Sequence, residues 1–104
     1  MTMTIKQLQL DMKPWAVEPH FSNNADPCFM LKHALFHATK ATGKIAGAAD
    51  EHDHSGASGV PAVSFRGCEK YLADLVICAM KMASETGVDL GQTVEDRMRD
   101  KGLL

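Results

Sequence analysis

His33, His37, Lys40 and Lys44 follow one another at intervals of four, three and four residues. On a helix that spacing lines two imidazoles and two ammonium groups along one side. Such a basic stripe can take an anion, above all the phosphates of a nucleotide, without a bridging metal. The His33-x-x-x-His37 pair also has the spacing of two zinc or other transition-metal ligands. It lacks the intervening glutamate of the metalloprotease signature, and a pair packed near a helix interface is the plainer reading. Further on, Asp50-Glu51-His52-Asp53-His54 sets five possible ligands in a row. That density suits a metal, and acids at a helix carboxyl terminus oppose its dipole, although a polar loop is the commoner explanation.

The remaining reactive side chains are sparse. Cys28, Cys68 and Cys78 are odd in number and lack C-x-x-C spacing, which fits buried thiols in a reducing compartment better than a disulfide scaffold. Cys78 lies beside an apolar stripe, and Met80 and Met82 read as core rather than as cofactor ligands. Trp15 is expected to anchor a connector on the body of the fold, although an exposed tryptophan could stack a base. No phosphate-binding G-x-x-x-x-G-K-[ST], no G-x-S-x-G and no zinc-ribbon spacing occurs, so several common enzyme classes drop out.

The elements that must position these groups are helical. Thr4 to about Met12 carries Ile5, Leu8 and Leu10 or Met12 at amphipathic spacing, and Pro14 ends it. Residues Trp15 to Asn24 read as a connector rich in turn formers. Asp26-Pro27 is a helix start signal, and a long helix follows to about Asp50. Its stripe is Leu31, Ala34, Leu35, Ala38, Ala41, Ile45, Ala48 and Ala49, small enough in places for close approach of a partner. Phe29 and Phe36 lie well round from that stripe, so one side is expected to face its own chain and another a second subunit. The main loop spans Glu51 to about Ser64, with two glycines and a proline. Leu72, Leu75, Val76, Ala79, Met82 and Ala83 then mark a second long helix stopped by Gly87, and Asp89 with Gln92 opens the last helix as a capping box.

The expected fold class is therefore all-α, a helical bundle with two long antiparallel helices plus short N- and C-terminal helices. As one domain over residues 1–104 it divides into an N-terminal helix and connector (1–25), a long helix (26–51), a loop (52–65), a long helix (66–87) and a C-terminal helix (89–102). A hydrophobic content of 45% against 23% charged residues argues against disorder. A net charge of −2 supplies no overall drive toward DNA, RNA or acidic lipid, and neither nucleic acid nor membrane is an expected partner. No run approaches the roughly 20 apolar residues of a membrane span, and a cytoplasmic location is expected. The mixed-sign face of Glu95, Asp96, Arg97, Arg99, Asp100 and Lys101 reads as solvent-facing.

Tyr71-Leu72-Ala73-Asp74-Leu75-Val76 followed by Gly87-Val88-Asp89-Leu90 resembles the closing half of the MazG-like nucleotide pyrophosphohydrolases. In that family L-A-D-x-x-I/V precedes G-I/V-D-L and a charged helix. The resemblance extends over about Phe29 to Gly102 and implies an all-helical dimer or higher oligomer that splits a nucleoside triphosphate with activated water. It also implies magnesium held by E-E-x-x-E on one long helix and E-x-x-D on the facing one. With Thr42-Gly43-Lys44-Ile45-Ala46 set on the family's x-G-E-L-A, the three first-helix carboxylates fall on Lys40, Ala41 and Lys44. The second-helix glutamate falls on Tyr71, and only Asp74 matches. This chain thus resembles a divergent member with a mostly replaced metal site and weak or lost catalysis. Asp74 is the implied ligand, with Glu51, Asp53 and Glu69 as substitutes. His33, His37, Lys40 and Lys44 are the candidates for nucleotide or anion binding. The expected structural outcome is a salt bridge from Asp74 to Lys40 or Lys44; the reading from another class is a non-catalytic module that binds a nucleotide or a protein.

Overall fold

The structure is a computed structural model that describes residues 2–13, 29–54 and 67–104, apart from the side chains of His52, Asp53 and His54. Four helices make up the described residues, in the order α1 (Ile5–Asp11), α2 (Phe29–His54), α3 (Glu69–Glu85) and α4 (Leu90–Asp100), with no strand among them. The all-helical reading holds. The expected connector with Trp15, the Asp26-Pro27 start, Cys28 and the glycine-rich part of the loop lie outside the described residues. None of the described helices is long and apolar enough to cross a membrane.

Local chemistry sets the helix ends. The Thr4 side chain caps α1 by accepting from the Gln7 amide at 3.1 Å. At the end of α3, Gly87 adopts φ +71°, Val88 N–H donates to Ala83 C=O at 2.8 Å, and Gly87 N–H donates to Ser84 C=O at 3.4 Å. That pair of bonds is the Schellman arrangement. It recurs at the end of α4, where Gly102 has φ +72° and Leu103 N–H reaches Met98 C=O. Asp89 caps α4 by accepting from Gln92 N–H at 3.1 Å. Only that half of the capping box forms: Gln92 turns its amide outward to donate to Asp96 at 2.9 Å.

Two boundaries differ from expectation. Helix α2 runs on through Glu51 to His54, into the stretch expected to be loop. The physical reason is that no glycine or proline interrupts the chain before Gly56, and helix propensity carries the polar residues along. Helix α3 begins at Glu69, after a tight turn at Gly67 and Cys68.

Helices α2 and α3 form the principal packed pair. Ala34 and Ala41 are buried on α2, and Cys68, Cys78, Met80 and Ala83 on α3 or just before it. Alanine at the contact lets the two backbones approach closely. The expected stripes are only partly buried: Leu35, Leu72 and Val76 are 51%, 55% and 44% exposed, and Phe36 is 68% exposed. Periodicity identifies an apolar side but not its rotation. Here α3 turns Cys78 and Met80 inward, and Leu72 and Val76 fall outside the seam. Within α2, Thr39 and Thr42 donate their hydroxyls to Leu35 and Ala38 carbonyls. Gly43 and Gly47 follow on its exposed side, with open space where a Cβ would lie.

Helix α1 docks against α4 and α3 without burying any residue fully. Its hold is polar. Gln9 donates to Val88 C=O at 2.7 Å and accepts from Leu90 N–H at 3.0 Å, gripping both sides of the α3–α4 corner. Lys6 adds a long ion pair of 3.9 Å to Asp89, and its backbone passes close to Gly91.

Candidate functional site

The α2–α3 seam opens into a pocket of about 240 Å³ lined by His37, Lys40 and Ala41 from α2 and by Tyr71, Asp74, Ile77 and Cys78 from α3. On α2 the i, i+3 and i+4 relation of His37, Lys40 and Ala41 turns them to one flank. On α3 the same rule gathers Tyr71, Ile77 and Cys78 around Asp74. Of the residues expected to bind an anion, His37 and Lys40 therefore reach the pocket, and His33 and Lys44 are absent from its lining. Sequence reasoning does not single out Ile77 and Cys78 as pocket residues, and it reaches Tyr71 only as the position of the family's second-helix glutamate. The signal for them is their spacing from Asp74.

Electrostatically the pocket is mixed. Lys40 and Asp74 are both exposed. No ion pair joins Asp74 to Lys40 or Lys44 among the described residues, so the expected structural salt bridge does not form. Cys78, at 1% exposure, forms the floor; burial pushes its thiol up, and the Asp74 charge pushes in the same direction. A thiol so placed is a poor nucleophile. Beside the pocket, Lys70 sets its ammonium 5.1 Å from the centre of the Tyr71 ring.

Along α2 the His33 and His37 rings meet at a tilt of 59° with centroids 4.6 Å apart, and Phe29 adds a tilted contact to His33 at 5.9 Å. Desolvation, and then the neighbouring His37, hold His33 below its ordinary value of 6.5. The folded state therefore resists a proton that the unfolded chain accepts. The resulting stability is complete above the unfolded value and declines as the pH falls through it. Melting temperatures recorded from about pH 8 down to about pH 5.5 should decrease, and a His33→Gln variant should show a shallower slope over that range. An unchanged slope in the variant would remove His33 as the cause.

The donor set can be tested against magnesium. A hard divalent cation takes about six oxygen ligands, usually with more than one carboxylate or with substrate phosphates. Among the described residues Asp74 is the only carboxylate in the pocket lining, and Glu51 and Glu69 are exposed elsewhere on α2 and α3. The side chain of Asp53 lies outside the described residues. Among the described residues no three His, Cys, Asp or Glu side chains converge as a metal site. From this pocket the described residues would offer a magnesium ion one carboxylate, Asp74. Comparison with family models, curated proteins and solved structures finds no match.

Proposed function

We propose that this chain is a divergent MazG-like bundle, its two long helices antiparallel, which binds a phosphate-bearing ligand of the nucleotide class at the α2–α3 pocket without metal-dependent hydrolysis. The observation that carries this reading is the make-up of the pocket's described lining: one carboxylate, Asp74, faces the Lys40 ammonium, with His37 beside it. A pyrophosphohydrolase needs converging carboxylates to hold magnesium on a triphosphate. A binder needs only a cation placed to meet the anion. Lys40 is that cation, and its ammonium is not engaged by Asp74.

Self-association belongs to the same reading. Leu35 and Phe36 on α2, with Leu72 and Val76 on α3, are large apolar side chains left exposed, and a second copy of the chain would shield them. A core this small gains from such burial.

Titration calorimetry with a nucleoside monophosphate, without divalent metal, tests the binding. Lys40→Ala should weaken it about threefold, equivalent to roughly 0.7 kcal/mol, as expected for one solvent-screened ionic contact. Pyrophosphate release from a panel of nucleoside triphosphates with magnesium or manganese should stay at background. Binding indifferent to Lys40→Ala, or multiple turnovers of any triphosphate, would overturn the proposal.

A further inference from the structure

Two imidazoles meet at the surface of α2. His33 and His37 stand about one helical turn apart, with ring centres 4.6 Å apart and ring planes inclined at 59°. A pair used only for packing would be buried in the helix seam. Here His37 is exposed and His33 is half-buried, so solvent and dissolved ions reach both.

Imidazole is the commonest protein ligand of transition metals, and it binds through a lone pair lying in the plane of the ring. Face-to-face rings hold their lone pairs in parallel planes, where one ion cannot serve both. Planes inclined at 59° intersect, so a single ion can lie in both. The separation is also that of a chelate. With metal–nitrogen bonds of about 2.0–2.1 Å, and each ring centre about 1.2 Å beyond its nitrogen, two imidazoles at a right angle around one ion have centres about 4.5 Å apart. A tetrahedral angle spreads them to about 5.2 Å. The observed 4.6 Å matches the right angle, the geometry of square-planar and octahedral ions rather than of tetrahedral zinc.

Protonation does not stand in the way. Burial, and then the neighbouring His37, hold His33 below its ordinary value of 6.5, so at neutral pH the ring offers a lone pair. An imidazole has two ring nitrogens, and a hydrogen bond at one leaves the other to ligate. Among the described residues no group of three His, Cys, Asp or Glu side chains forms a fuller site, so exchangeable ligands such as water would take the other positions.

We infer that His33 and His37 chelate a divalent transition-metal ion of the nickel or copper class at the surface of α2, with its remaining coordination positions open. The chelate is made of nitrogen and needs none of the carboxylates that a magnesium site requires. It stands independently of the nucleotide-binding reading.

Nickel(II) titrated into the full chain at about pH 7.5 tests it, followed by calorimetry and by the proton NMR signals of the five histidine rings. Nickel is paramagnetic, so the rings that hold it lose their signals first. His33 and His37 should broaden together at substoichiometric nickel, ahead of His20, His52 and His54. His33→Gln and His37→Gln should each weaken nickel binding about tenfold or more, because either leaves a single ligand. Lys40→Ala removes a cation and no ligand, and should not weaken it. Zinc(II) should bind less tightly than nickel. Broadening that begins at another histidine, or a single-histidine variant that binds nickel as the wild type does, overturns the site. Zinc binding more tightly than nickel overturns the right-angle geometry and the class of ion drawn from it. Failure of nucleotides to bind leaves the chelate standing, and failure of nickel to bind leaves the nucleotide reading in place while overturning this one.

Discussion

Replacing Ala34 by aspartate should come close to unfolding this protein. Ala34 is 0% exposed, on the side of α2 that meets α3. An aspartate there introduces extra volume at a close helix contact and a carboxyl group with no partner among the buried side chains. The group would take up a proton rather than remain charged, and the combined penalty is on the order of 3–5 kcal/mol. Total stabilities of about 5–15 kcal/mol leave little after such a loss. Thermal denaturation followed by circular dichroism should show a midpoint about 15–30 °C lower, or no cooperative transition at all. The control is Ala46→Asp, on the exposed side of the same helix, where the loss should be limited to helix propensity of less than about 1 kcal/mol. Equal effects at the two positions would mean that the α2–α3 seam is not where Ala34 lies.

Gln9→Ala should detach α1 from the rest of the molecule. The side-chain amide of Gln9 makes two hydrogen bonds to the backbone of the α3–α4 corner, and α1 has no fully buried residue to hold it otherwise. Each bond contributes about 0.5–1.5 kcal/mol, so their loss amounts to roughly 1–3 kcal/mol, concentrated at this one contact. A helix of 7 residues is too short to persist alone. Amide exchange in Ile5–Asp11 and at Leu90 should accelerate while that around Ala34 and Cys78 stays unchanged. Gln9→Glu keeps the acceptor for Leu90 N–H and loses the donor to Val88 C=O, and should give an intermediate result. Uniform acceleration along the whole chain would show that α1 is an integral part of the core instead.

The helix stops and starts were the most legible part of this chain because they depend on single residues. Only glycine accommodates the positive φ of the α3 stop easily, and Asp89 needs nothing distant to cap α4. Lys40 and Asp74 could likewise be set opposite each other from spacing and family resemblance. What they do there could not. Whether two charges close into a pair depends on the separation and rotation of two helices, which the partners of each helix decide. The same physics hid the orientation of α3. A repeat of apolar residues at Leu72, Leu75, Val76 and Ala79 is compatible with several rotations, and the packing of Cys78, Met80 and Ala83 selects one. Gln9 was silent for another reason: its partners are 79 and 81 residues away, and a glutamine on a short helix carries no local sign of them. The extension of α2 through Glu51 reflects residues whose intrinsic preference, rather than any stop signal, settled the matter.

Gly43 and Gly47 divide α2 into unequal parts. Each sits in the helix with no side chain to restrain its backbone, at a cost of about 0.8–1.0 kcal/mol relative to alanine, and neither is needed for a close approach. The turn that carries His37, Lys40 and Ala41 lies ahead of both, on the part of the helix that also carries the buried Ala34. The pocket-lining groups thus stand ahead of the two glycines, and a bend of the rod beyond Gly43 would leave their spacing unchanged.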